Sequence, residues 1–265
     1  MNIGISWDAY GHGELSAEKQ TELLLENGFT NTFTDSENPD VKTLVPFLRS
    51  RGIECDTFHA PFGGINEIWL DGEKGEAVLR RLIRSVNICA ENKVPVMICH
   101  LSSGDDCPHI TDTGYGRFSR LVANARENGV KIAFENQRKL ANLAFAMEQF
   151  PEMGFCWDAG HEACFAYGRE FMPLFGSRLI ALHLHDNFAE HEGDMHMLPY
   201  DGRIDYEKAA RHIAYSGFEG TVMLEVFRHT SGRYENFTPD EYYKRAGIAA
   251  SKLRNRIEEI RKEGK

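Results

Sequence analysis

The sequence predicts a (β/α)8 barrel, one domain over residues 1–265, on three observations. Eight short β-branched or apolar runs alternate with helix-length amphipathic segments from end to end. No stretch rich in Pro, Gly or Ser divides the chain. The strand-like runs after the second end in acids and imidazoles, and a barrel collects its site from the C-terminal ends of all its strands. A doubly wound open sheet shares the alternation but not that pooling of strand ends, so the barrel is preferred.

The strand-like runs are residues 2–7, 30–34, 53–59, 95–100, 131–136, 153–158, 178–186 and 221–226. Between the first two, Ser16 is placed to cap a helix that Gly28 stops. The next helix opens at Pro39 and closes at Gly52, with Pro46 expected to kink or restart it. Residues 76–92, 116–129, 139–150, 205–217 and 240–260 carry apolar side chains at three-and-four spacing. Gly168 and Pro173 interrupt 161–176, which predicts two short helices there.

Hydrophobic residues make up 42% and charged residues 26%, the composition of an ordinary globular chain. No apolar run approaches the roughly 20 residues a membrane span needs, so no membrane partner is expected. The first residues, MNIGISWDAY, lack a signal-peptide layout, and the expected location is cytoplasmic. The six cysteines form no C-x-x-C pair and are expected to be reduced core thiols. A formal net charge of −10 argues against nucleic acid, whose phosphates are gripped by Lys and Arg.

The strand ends carry the chemistry. They supply His59, His100, Glu135, Asp158 with His161 three residues on, His183 with His185, and Glu225. Strands alternate faces, so His183 and His185 point away from Leu182 and Leu184. Any one of these is ordinary alone: an edge histidine, an ion-pair glutamate, or an aspartate capping a helix. Six consecutive strands ending this way are better explained by a shared cation, because buried unpaired carboxylates and imidazoles are costly. Imidazole and carboxylate without thiolate suit Zn²⁺ or Mn²⁺, with Co²⁺ or Mg²⁺ open, and no organic cofactor is expected. Cys107 and His109 read as a plain loop, and His12 and His191 as loop residues of no assigned role.

In this order, HAP (59–61), FEN (134–136), DAGH (158–161), HLHDN (183–187), D-M-H-M-L-P-x-x-G-x-I-D-Y (194–206) and LEV (224–226) resemble the xylose-isomerase-like TIM barrel superfamily. That group holds sugar isomerases, sugar and sugar-phosphate epimerases, inosose dehydratases and endonuclease IV, which cuts at abasic sites. The resemblance runs over nearly the whole chain. It implies one divalent ion held by Glu135, Asp158, His183 and Glu225. It also implies that His59, His100, His161, Asp194 and His196 match the additional metal ligands of endonuclease IV. Tyr200 departs from the pattern, which usually has Gly after the Pro.

The function so implied is isomerisation or epimerisation of a sugar or sugar phosphate by proton abstraction next to a carbonyl, through an enediolate. Glu135 and Glu225 would exchange the proton, His161 and His185 would orient hydroxyls, and Trp7, Phe62 and Trp69 would form an apolar wall. Arg228 is a further candidate for substrate contact, and the partner is a small carbohydrate, with a homo-oligomer left open. The alternatives are a dehydratase acting on a keto-sugar or inosose, a phosphodiester hydrolase, and a non-catalytic binding barrel.

Overall fold

The computed structural model describes residues 1–264, and these form a (β/α)8 barrel. Eight parallel strands follow in chain order: β1 (Ile3–Ser6), β2 (Asn31–Asp35), β3 (Glu54–His59), β4 (Val96–His100), β5 (Lys131–Glu135), β6 (Gly154–Asp158), β7 (Leu179–His183) and β8 (Val222–Leu224). β8 pairs with β1, and a bridge between Leu184 and Leu224 joins β7 to β8, so the sheet closes on itself.

The helices fall where the periodicity places them. They are α1 (Ala17–Glu26), α2 (Val41–Ser50), α3 (Glu73–Glu91), α4 (Asp112–Glu127), α5 (Leu140–Gln149), α6 (Ala159–Phe165), α7 (Met172–Phe175), α8 (Tyr206–Ser216) and α9 (Pro239–Glu263). Ser16 caps α1 by accepting from Lys19 N, and Gly28 turns the chain away at φ +80°. α2 is continuous through Pro46 and does not restart there. Pro46 is the sixth of its ten residues, and its missing N–H leaves a carbonyl of the first turn free. α2 begins at Val41 rather than Pro39, and α4 begins at Asp112, earlier than 116, because Thr111 caps it through Gly114 N.

The barrel interior explains how the strand ends come together. Ile98, Ala133, Cys156 and Ala181, on β4 to β7, are buried together as a small core separate from the main one. Each is followed two residues later by His100, Glu135, Asp158 or His183. With a side-chain period of two, those four point to the same interior, one step nearer the C-terminal mouth. The register agrees, with His100 opposite Glu135 and Asp158 opposite His183. All six cysteines are free and buried.

Candidate metal centre

Glu135 occupies the middle of the mouth. Its Oε1 lies 2.6 Å from Nδ1 of His183, and its Oε2 lies 2.5 Å from Nε2 of His100 and 3.5 Å from Nε2 of His59. Nδ1 of His183 is also 3.3 Å from Oε1 of Glu225. On the far side, Nε2 of His185 lies 3.2 Å from Oδ1 of Asp158. Asp194 completes the ring, with oxygens 3.4 Å from Nε2 of His161, 3.4 Å from Nε2 of His196 and 3.5 Å from Nε2 of His185. The structure therefore brings into one network the strand-end residues and Asp194 and His196.

Within it, several groups of three present ligand atoms that all lie within 4.8 Å of one another. They include His59–His100–Glu135, His59–His183–Glu225, Asp158–His161–His185 and His185–Asp194–His196. The donor set fits a divalent cation on a further observation. Glu135 Oε2, Asp158 Oδ2, Asp194 Oδ1 and both ring nitrogens of His185 are buried without a hydrogen-bond partner. Glu135 Oε2 lies 2.5 Å from Nε2 of His100 but outside hydrogen-bond geometry.

The electrostatics follow from crowding. Burial works against an ionised Glu135, but the facing imidazoles of His183 and His100 outweigh it and hold its carboxyl well below the usual range. Burial and the charges of Glu135 and Asp158 push Glu225 the other way, well above that range. Burial also opposes the charge on Asp158, yet His161 and His185 bring its carboxyl down to about 2. His161 is raised to about 10, because Asp158 and Asp194 overcome the cost of its burial.

Local structure holds these groups still. Asp158 accepts from His161 N and so caps α6, which means its helix-capping and site roles coincide. Asn136, just past β5, donates to Asp158 O and accepts from Asp158 N, clamping the two strand ends. Gly160 lies against the face of His185: a Cβ there would sit 1.9 Å from the ring. Asp186 accepts from the backbone N–H groups of Gly202 and Ile204, which folds the 187–204 loop back over β7. That loop has a left-handed residue at Tyr200, φ +75°, a conformation that favours Gly.

Around the centre is a cavity of about 680 Å³, lined by Trp7, Phe33, Phe62 and Phe165 among apolar residues. Phe62 is half exposed and stacks on His100 at 4.7 Å. Trp69, expected on this wall, is elsewhere. It is fully buried against Phe118 and Phe145, and its Nε1 donates to Leu101 O at 2.7 Å. Its place in the sequence, between an irregular loop and a helix, gives no period from which to read a facing. Arg228 does line the cavity, but its guanidinium is tied down. Nε donates to Tyr10 O, Nη1 to Glu235 O and Nη2 to Glu14 Oε2.

Gln137 was not anticipated. Its Nε2 lies 3.0 Å from His161 Nδ1 and 3.3 Å from His100 Nε2, joining the two imidazoles. The signal was its position two residues after Glu135, the same face of an extended chain. Asp8 and Asp35, at the ends of β1 and β2, also line the cavity, and His12 stands beside Asp8 at 3.1 Å. His191 ties the rim, with Nε2 3.0 Å from Asp105 and 3.2 Å from the Tyr167 hydroxyl. Cys107 is buried within its loop, under Asn142.

A family model described as xylose isomerase-like TIM barrel matches residues 19–253. The uncharacterized protein y4fM of Sinorhizobium fredii is 33% identical over 143 residues, which cover 54% of this chain and 44% of that protein. The uncharacterized protein MJ1311 of Methanocaldococcus jannaschii is 22% identical over 185 residues, 63% of this chain and 62% of that one. The chain thus spans about half the length of the curated relatives it matches. Among solved structures, the IolI protein with a bound zinc atom superposes with a TM-score of 0.77 at 15% identity, covering 96% and 98% of the two chains. D-psicose 3-epimerase with D-tagatose from Clostridium cellulolyticum gives 0.76 at 15%, covering 97% and 99%. A D-tagatose 3-epimerase-like protein gives 0.73 at 18%, covering 100% and 99%. Likeness at such identities is likeness of fold. The family model, which spans most of the barrel, carries the assignment: this chain belongs to the xylose isomerase-like TIM barrel family.

Proposed function

We propose that the protein is a divalent-metal-dependent isomerase or epimerase of a sugar or sugar derivative. The observation that carries this reading is the contact of Glu135 and Glu225 with one imidazole nitrogen, Nδ1 of His183, at 2.6 and 3.3 Å. Two carboxylates from β5 and from the end of β8 then flank one position at the mouth. The naming of two similarly folded proteins as 3-epimerases, and of another as binding zinc, supports it further.

Glu135, Asp158, His183 and Glu225 would hold the ion, with Zn²⁺ and Mn²⁺ both suited to this donor set. A bound divalent cation supplies Lewis-acid stabilisation of negative charge on substrate oxygens, and it keeps neighbouring carboxylates ionised. The chain's own residues do the rest. One of Glu135 and Glu225 removes the proton beside the substrate carbonyl; the C–H electron pair forms the new C=C bond and the C=O π pair moves onto the carbonyl oxygen to give the enediolate. The other returns a proton to the opposite face for epimerisation. His161 orients hydroxyls, and Trp7 and Phe62 form an apolar wall that excludes water; His185, expected beside the substrate, is fully buried against Asp158 and Asp194 and lies outside the cavity lining. Transfer of solvent deuterium into a panel of free and phosphorylated ketoses tests this: carbon-bound deuterium supports it, and none across the panel sinks it.

A second reading has its own support. His59, His100, His161, Asp194 and His196 all join the network, as a multi-metal phosphodiester hydrolase would need. A nicking assay on abasic duplex DNA with metal supplied separates the two. A dehydratase would share the proton abstraction and then lose water, which the same spectra would reveal as a new product.

A further inference from the structure

We infer that the substrate is uncharged at the end that projects out of the metal centre, and that Asp8 and Asp35 select against phosphorylated sugars. The inference deepens the isomerase reading and rests on it. Beyond the metal-capable residues, the charged groups lining the cavity are Asp8, Asp35, Arg138 and Arg228. No lysine is among the lining residues.

Both arginines are already committed. All three guanidinium nitrogens of Arg228 donate, to Tyr10 O, Glu235 O and Glu14, and the group lies 4.0 Å over the Tyr10 ring. Nε and Nη2 of Arg138 donate to Glu192, Asp105 lies 3.5 Å from Nε, and the Phe165 ring sits 3.7 Å beneath. A phosphate would have to displace Glu14 to reach Arg228, and at Arg138 would find only Nη1 without a partner. Such charge-assisted pairs, once formed within the chain, leave little to offer a ligand.

Asp8 and Asp35 have no such partners. Burial raises the affinity of Asp8 for its proton, His12 lowers it, and Asp35 adds a smaller rise, so the two carboxylates sense each other. Only the imidazole of His12, itself largely exposed, stands beside Asp8. Carboxylates accept hydrogen bonds from hydroxyls and repel phosphate, and like-charge juxtaposition is how sites reject wrong partners.

Five helix N-termini, the usual alternative anion sites, are already capped: Ser16, Thr111, Asp158, Asp205 and Thr238 cap α1, α4, α6, α8 and α9 with their own side chains, whereas α2, α3, α5 and α7 carry no side-chain cap. Among the remaining cations near the rim, Arg81 lines an adjoining dent with Asp8 and Asp35 and donates to Glu37, and Lys139 and Arg169 line another dent together with Asp105 and Tyr167, outside the cavity.

The test uses metal-loaded protein, with pairs of free ketoses and their terminal phosphates, and follows solvent deuterium into carbon by NMR. The free ketose should exchange at least roughly tenfold faster than its phosphate, the scale of one or two like-charge contacts near a surface. The double variant D8N/D35N, checked for folding by its thermal midpoint, should narrow that ratio roughly tenfold. K139A/R169A should leave the ratio unchanged. A phosphate exchanged as fast as its parent, or a ratio that falls only in K139A/R169A, overturns the inference and leaves the isomerase reading standing. No exchange in any pair overturns the isomerase reading itself.

Discussion

Oε1 of Glu135 lies 2.6 Å from Nδ1 of His183, although the two stand on strands separated by β6. Only a closed barrel lets side chains of non-neighbouring strands meet across its interior. Both residues are buried essentially completely, and the other oxygen of the glutamate is left to His100 and His59. Glu135 thus joins three imidazoles, those of His183, His100 and His59.

Replacing Glu135 by Gln keeps the shape and removes the charge. Deuterium transfer should fall roughly a hundred- to ten-thousand-fold, the range for a lost general base, and metal affinity should fall with it. Circular dichroism should show an unchanged barrel. An active Glu135→Gln protein rules out a proton-transfer role for this carboxylate.

Phe62 and Trp69 should separate cleanly. Trp69→Phe removes the donor to Leu101 O inside the core and should cost about 1–3 kcal/mol of stability while sparing turnover. Phe62→Ala opens a half-exposed site over His100 and should change KM with little change in stability. Denaturant melts alongside kinetics would expose a reversed pattern, which would put Trp69 in the site after all.

Gly160→Ala places a methyl group into the ring of His185. Overpacking of this kind costs about 1–3 kcal/mol, and here it also displaces an imidazole of the centre. Thermal denaturation should register the first effect and metal titration the second. A variant matching the parent in both would mean that α6 moves aside freely.

The chelated protein should have a pH-dependent stability set by His161. Its pKa rises from an ordinary 6.5 to about 10 between Asp158 and Asp194. The folded value lies above the unfolded one, so the protonated ring stabilises the fold fully below about pH 6.5. That contribution is lost as pH climbs toward about 10, and the thermal midpoint should fall over this window. His161→Gln should flatten the fall; an equal decline in the variant would place its origin elsewhere.

The alternation of runs made the eight strands and most helix ends legible, because period two, period 3.6 and capping residues are local signals. The strand-end residues were legible for the same reason: one strand's facing is set by its own neighbours. Trp69 was misjudged because an irregular segment has no period to fix its direction. Pro46 does not restart its helix, because its missing N–H costs only one hydrogen bond. Gln137, Asn136 and the ties on Arg228 depend on residues far away in sequence, up to 218 positions for Arg228 and Tyr10. No local pattern encodes such pairs.

Metal-dependent proton transfer at Glu135 is tested most directly by one measurement. Deuterium incorporation into the best ketose of the panel is followed for protein as purified, after chelation, and after Zn²⁺ or Mn²⁺ is restored. Incorporation that vanishes on chelation and returns with metal is the predicted result. Incorporation that survives complete removal of metal would contradict the account.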